Sequence, residues 1–254
     1  MPLTTPFLST VQPLLLAVLR RRMLSTVRRT PFPRDEPVLR VAGRDPVRML
    51  VVGDLGASGL GVLLHGMAFP AQLAEMVARR TDRGVRSTLA TDPRLTLRAA
   101  AAHPALDATE RRDVAVVALG VPDVVRGTSP GAAVTALEEL VCRIRRASGP
   151  DCAVVLCGPP PVGHGQPVPA AVRACFDRRT RDVASAMADV ADRLDGVAFV
   201  AFPTWEAPRL QVRDAFSFRA LHHLWADAVA PTVVAALDAR GGERAGSDGP
   251  ALVA

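Results

Sequence analysis

Five short apolar runs, Val47–Val52, Val85–Ala90, Val114–Leu119, Ala153–Leu156 and Val197–Ala201, read as continuous rather than alternating stretches. A strand with one wet face alternates polar and apolar residues. A strand covered on both faces has no wet face to encode, so its sequence stays apolar. Between the runs lie patterns with helical period, over about Leu63–Arg80, Ala132–Ala147, Pro169–Leu194 and Ala220–Arg240. In the third, Val183, Met187, Val190 and Leu194 fall at i, i+4, i+7 and i+11, on one face of a helix. This rhythm predicts an α/β domain of three layers, α/β/α, with a flavodoxin-like, doubly wound parallel sheet of five strands in the order 2-1-3-4-5. The chain then divides into an Arg- and Pro-rich arm (1–46), the domain (47–240) and a Gly-rich tail (241–254) expected to be disordered.

Composition removes several kinds of chemistry. The chain has no Lys, Tyr or Asn, so Schiff-base lysines, catalytic tyrosines and asparagine donors are excluded. All 31 basic residues are arginines, and the formal charge is +6. That excess is local: Arg20, Arg21, Arg22, Arg28, Arg29 and Arg34 lie in residues 1–34, which contain no acid. A neutral body with one basic arm lacks the basic face that duplex binding needs, so no nucleic-acid partner is expected. The arm fits a solubilising leader, or a peripheral contact with an anionic membrane through Arg20, Arg21, Arg22, Arg28 and Arg29. The apolar stretch Val11–Leu19 is too short to span a bilayer, and its charges follow it rather than precede it. Leu14, Leu15, Leu16 and Leu19 suit an interfacial segment instead. No stretch elsewhere reaches 18 apolar residues, so the expected location is the cytoplasm, peripheral to the membrane at most, rather than outside the cell.

In a doubly wound sheet, ligands bind beyond the carboxyl ends of the strands. The loops that matter are therefore Gly53–Gly61, Thr91–Leu95, Gly120–Arg126, Gly158–Gly165 and Phe202–Phe218. Glycines 53, 56, 59 and 61 invite a dinucleotide reading, but their spacing is not G-x-G-x-x-G, and a turn with positive φ and close packing explains them without a ligand. Cys142, Cys152, Cys157 and Cys175 form no CxxC pair and are expected to be buried, reduced thiols. No His or carboxylate spacing suits zinc, so neither metal nor cofactor is expected. His65 and His103 read as structural, and His164 has no partner in view.

VVGDLGASGLGV after the first strand resembles the first block of the SGNH (GDSL) hydrolases, GDS-x-x-x-G. ALGVPDVVRGT after the third strand resembles their G-x-N-D block, and DAFSFRALHHLWADAVAP resembles their closing D-x-x-H block. GPPPVG after the fourth strand adds a fourth likeness, and the four cover about residues 47–240 in the family's order.

The resemblance implies the SGNH hydrolase fold and acyl transfer from esters: a Ser attacks the carbonyl, a His takes its proton, an Asp orients the His, and amide donors hold the oxyanion. It also implies departures. Leu55 stands at the nucleophile position, Pro122 at the oxyanion Asn position and Ser217 at the His position. The oxyanion Gly belongs near Asp92 and Pro93, where no Gly occurs. Asp54, Asp123 and Asp214 match. Two functions follow. One is a catalytically degenerate member that binds a small acyl or glycan ligand or a protein partner. The other is an active ester hydrolase with relocated groups, Ser58 as nucleophile and His222 as base. Against the second, Ser58 reads as a helix-start cap, and His222 lies five residues past the vacant position.

Overall fold

A computed structural model describes residues 29–38, 40–162, 169–204, 211–212 and 215–247. Its strands are β1 (Arg40–Val41), β2 (Val47–Gly53), β3 (Val85–Thr91), β4 (Val114–Ala118), β5 (Ala153–Cys157), β6 (Val197–Val200), β7 (Gln211–Val212) and β8 (Ala215–Phe216). Its α-helices are α1 (Phe69–Thr81), α2 (Leu97–Ala100), α3 (Val121–Arg126), α4 (Pro130–Ser148), α5 (Ala170–Arg193) and α6 (Phe218–Ser247).

The main sheet runs β1-β3-β2-β4-β5-β6. Strands β3-β2-β4-β5-β6 are mutually parallel and follow the expected 2-1-3-4-5 order. A sixth strand, β1, adds to the β3 edge in antiparallel sense, pairing Arg40 with Arg86 and Val41 with Val85. Only two residues long, it carries no periodicity that sequence could reveal. Both faces of the sheet are covered, as the continuous runs require. Leu50, Val52, Ala115 and Val117 pack with Leu137, Leu140, Phe176 and Met187 of α4 and α5. Met49, Val51, Val114 and Val116 pack with Phe69, Leu73, Trp225 and Val229 of α1 and α6. Alternate residues of one strand thus serve different helical layers.

Three expectations need correction. The helix expected from Leu63 begins at Phe69, after a 3-10 turn over His65–Met67; its first-turn Pro70 needs no amide partner there. The tail does not begin at Gly241, because α6 continues to Ser247; residues 248–254 lie outside the described residues. Cys142 is exposed on α4, whereas Cys152, Cys157 and Cys175 are buried. Burial pushes the Cys152 thiol up to about 11 and raises that of Cys157 as well.

Helix α6 is the one described helix long and apolar enough, over Phe218–Arg240, to cross a membrane. Its inward face is already occupied: Trp225, Ala226, Val229, Ala230 and Val233 are buried in the core it shares with α1.

Candidate active site

The loop after β2 is a series of turns from Asp54 to Gly61. It meets the loop after β4 through one carboxylate. Asp54 is buried, and its Oδ2 accepts hydrogen bonds of 2.9 Å from the amides of both Gly120 and Val121. Its Oδ1 is 3.4 Å from the Gly56 amide, and its own amide donates to Ala118 O at 3.1 Å. Burial pushes the carboxyl up to about 7, against the pull of the Val121, Gly56 and Gly120 amides, and neighbouring Asp123 raises it further.

Asp123 ties a third loop to the same edge. Its Oδ2 accepts from the Leu97 amide at the start of α2 (3.0 Å), and its Oδ1 from Thr128 Oγ1 (2.9 Å). Burial raises this carboxyl too. Both aspartates carried over from the family motifs are therefore cross-braces between loops, and the amides of Gly120, Val121 and Leu97 are partners that sequence reasoning did not name. Gly120, at φ 126°, was the available signal, since a tight turn there is what aims consecutive amides at one acceptor.

The residues that the resemblance sets at the family's reactive positions are in structural use. Leu55 is 8% exposed. Pro122 sits in the first turn of α3, where a residue without an amide costs nothing. Ser217 precedes α6, and its Oγ accepts from the Ala220 amide at 3.2 Å, an N-cap. Asp214 lies outside the described residues, as does His164. Asp92 closes a local turn by accepting from the Arg94 amide at 2.7 Å.

Helix α6 closes over the first loop. A Cβ on Gly56 would lie 2.4 Å from the Trp225 ring, and one on Gly61 would lie 2.1 Å from that of Phe218. Gly59 and Gly61 also take φ of +82° and +81°. Packing and backbone conformation thus account for these glycines. The buried His222 Nε2 is 3.0 Å from Leu60 O. A carbonyl only accepts, so Nε2 carries the proton and Nδ1 the lone pair. Burial lowers this imidazole's affinity for a second proton. His222 Nδ1, Ser58 Oγ and Trp225 Nε1 are each buried with no hydrogen-bond partner among the described residues. Ser58 does not cap a helix, contrary to expectation, because the next helical turn is the 3-10 turn at His65; its amide donates to Asp54 O at 2.8 Å.

His103 accepts from the Ala105 amide at 3.2 Å, and His65 pairs with Asp35, so both are structural. Among the described residues, no group of three or more His, Cys, Asp or Glu side chains is placed to hold a metal ion. A cleft of about 550 Å³, lined by Val41, Arg44, Arg79, Asp82 and Arg83, opens at the opposite edge of the sheet, before β3. Its arginines are matched by Asp82, Glu75 and Asp45.

A three-layer domain with a motif-bearing loop after each central strand, braced at the carboxyl edge, defines an SGNH-type α/β hydrolase fold. Residues 51–227 match the GDSL-like lipase/acylhydrolase family, and the chain belongs to that family. Among solved structures, TesA has a TM-score of 0.56 at 21% identity, covering 74% of this chain and 99% of its own. The psychrotrophic esterase EstA from Pseudoalteromonas sp. has a TM-score of 0.53 at 15% identity, covering 73% and 98%. Est24, a carbohydrate acetylesterase from Sinorhizobium meliloti, has a TM-score of 0.52 at 15% identity, covering 74% and 99%. These likenesses are of fold. A search of curated protein sequences returned no match.

Proposed function

We propose that this protein is a catalytically degenerate member of the GDSL-like family that binds a small acyl or glycan ligand, or a protein partner, without hydrolysing it. One observation carries the reading: Leu55, Pro122 and Ser217 hold the positions of nucleophile, oxyanion donor and base, and each is spent on burial, helix initiation or capping. A buried leucine has no lone pair to attack with, proline has no donor, and a serine hydroxyl is no base near neutral pH. The supporting carboxylates, Asp54 and Asp123, keep loops in register, which a binding site needs as much as an active one.

A second reading, ester hydrolysis through Ser58 and His222, is favoured by one observation. The His222 Nδ1 lone pair and the Ser58 hydroxyl both lack partners among the described residues, and both flank the contact between α6 and the first loop. Against it, each atom is buried and neither hydrogen-bonds the other, whereas an activated nucleophile needs its base within about 3 Å. A fluorophosphonate probe separates the two. The degenerate protein stays unlabelled and leaves short nitrophenyl esters at background, while short-chain fatty acids or acetylated oligosaccharides raise its unfolding midpoint. Labelling abolished by Ser58→Ala establishes the relocated enzyme instead.

A further inference from the structure

The expected arm does not stop short of the fold. Its residues 31–35 are strapped across the first loop at two points. Pro31 O accepts from the Gly61 amide at 2.8 Å. Asp35 accepts from the His65 amide at 2.9 Å and pairs with His65 Nδ1 at 3.0 Å. The His65 amide, foremost, holds the Asp35 carboxyl below its ordinary range. Between these contacts, Pro33 packs against Gly59.

The two tethered positions, 61 and 65, bracket Leu63 and Leu64. Leu63 is 68% exposed and Leu64 is 48% exposed. With Val38, they are the only large hydrophobic side chains exposed among the described residues. Val38 belongs to the same place, its side chain 4.0 Å from where a Cβ on Gly66 would stand. Among the described residues, the exposed large apolar side chains are therefore gathered beside the strap, at the carboxyl edge of the sheet. The strap presents Arg34 to solvent, and Arg29, just before it, is exposed too. The chain preceding it adds Arg20, Arg21, Arg22 and Arg28, with no acid before Asp35.

We propose that this edge is a membrane-docking face, on which Leu63, Leu64 and Val38 enter the interface of an anionic bilayer while the arginines of the arm meet its headgroups. Scattered apolar residues need no explanation, but apolar residues gathered beside a basic segment match the two signals that stable peripheral binding requires. Each arginine near an anionic surface contributes about fivefold in affinity. Docking in this pose turns the loops around Asp54 and Asp123 toward the lipid, so a ligand for that edge would arrive from the membrane. The inference stands independently of whether the site is catalytic.

The test is co-sedimentation of the full-length protein with vesicles of pure phosphatidylcholine or of phosphatidylcholine with phosphatidylglycerol. The expected result is binding to the anionic vesicles only, weakening as salt rises. Leu63→Asp/Leu64→Asp should lower that binding by about tenfold or more while leaving the unfolding midpoint unchanged, because both side chains already face solvent. Arg20→Gln/Arg21→Gln/Arg22→Gln should lower it as well. Equal binding by the leucine variant, or no binding of the wild type to anionic vesicles, overturns the proposal. So does a halved apparent mass of the leucine variant in gel filtration, which would assign the leucines to a second copy of the chain.

Discussion

Asp54 Oδ2 lies 2.9 Å from the amide nitrogen of Val121, one residue before the proline at the family's oxyanion position. The acid of the first motif thus holds the loop after β4 in place through backbone, whatever side chain follows. This is why the loop can keep its position with a proline, which has no donor of its own, at 122. The brace is made to backbone amides and does not depend on the side chain at position 122.

Restoring the nucleophile alone should therefore fail. Leu55→Ser returns a hydroxyl to the turn but meets no base at 217 and no donor at 122, and a missing oxyanion donor alone costs about 10²–10³ in rate. The expected outcome is background turnover of short nitrophenyl esters by Leu55→Ser, and detectable turnover by Leu55→Ser/Pro122→Asn/Ser217→His. The triple variant loses a helix cap and some buried surface, so about 2–4 kcal/mol of stability should go with it. Equal rates for single and triple variants would show that the loops do not hold the family's geometry.

The buried carboxyl of Asp54 should make stability depend on pH. Its folded-state value is pushed up to about 7, from an ordinary 3.8. Between those values the folded chain binds more protons than the unfolded one, so stability falls as pH rises from about 4 to about 7, and levels off above. The slope reaches at most about 1.4 kcal/mol per pH unit. Urea unfolding at pH 5, 6, 7 and 8 should show this trend in the wild type and a flatter one in Asp54→Asn. Parallel curves for the two would remove Asp54 as the cause.

Asp123 offers a cleaner structural test, since both of its oxygens are occupied. Asp123→Ala leaves the buried Leu97 amide and the Thr128 hydroxyl without their acceptor, at a cost of about 2–4 kcal/mol. Thr128→Ala removes only one of the two bonds and should cost about 1 kcal/mol. Chemical denaturation of both variants checks the ranking.

Ser58→Ala should leave stability within about 0.5 kcal/mol of wild type or raise it slightly. A buried hydroxyl with no partner gives the fold no bond to lose. A loss above about 1.5 kcal/mol would mean that the hydroxyl is hydrogen-bonded after all, for example through a buried water shared with His222 Nδ1 or Trp225 Nε1.

Truncation should be sharply position-dependent. Residues 1–34 look dispensable by sequence because they carry no extended periodic apolar face, but removing them deletes Pro31 and Pro33 from the first loop. Removal of residues 1–28 should leave the thermal midpoint unchanged, and removal of residues 1–36 should lower it. Identical midpoints for the two truncations would show that the strap adds nothing to stability.

The sheet was legible because its strands advertise themselves. Val114–Ala118 and Ala153–Cys157 are wholly buried, and burial on both faces leaves only one kind of sequence. The elements that escaped are those whose residues carry a double meaning. Pro122 reads as a motif position and is also a helix start; Leu63 and Leu64 continue the apolar spacing of α1 in sequence but face solvent before it begins. Of the site, the motifs point to positions 55, 122 and 217, and the structure adds what each residue there does for the fold. The braces were not legible, because their partners are backbone amides, and any residue type supplies an amide. The strap from Pro31 to Asp35 was hidden for the same reason, its first contact being one carbonyl to one amide.

The contact between His222 and Leu60 spans 162 residues of sequence. Together with Trp225 over Gly56 and Phe218 over Gly61, it means that the first functional loop takes its shape from the last helix. A chain emerging from the ribosome completes β2 early and must then wait for α6 before that loop can settle. Closing so long a loop is slow, and until it closes the apolar face of α1 lacks its cover. Premature termination anywhere before Phe218 would therefore damage the amino-terminal loop as surely as the carboxyl-terminal helix, and nascent chains of this protein should lean on chaperones until nearly all of it has been made.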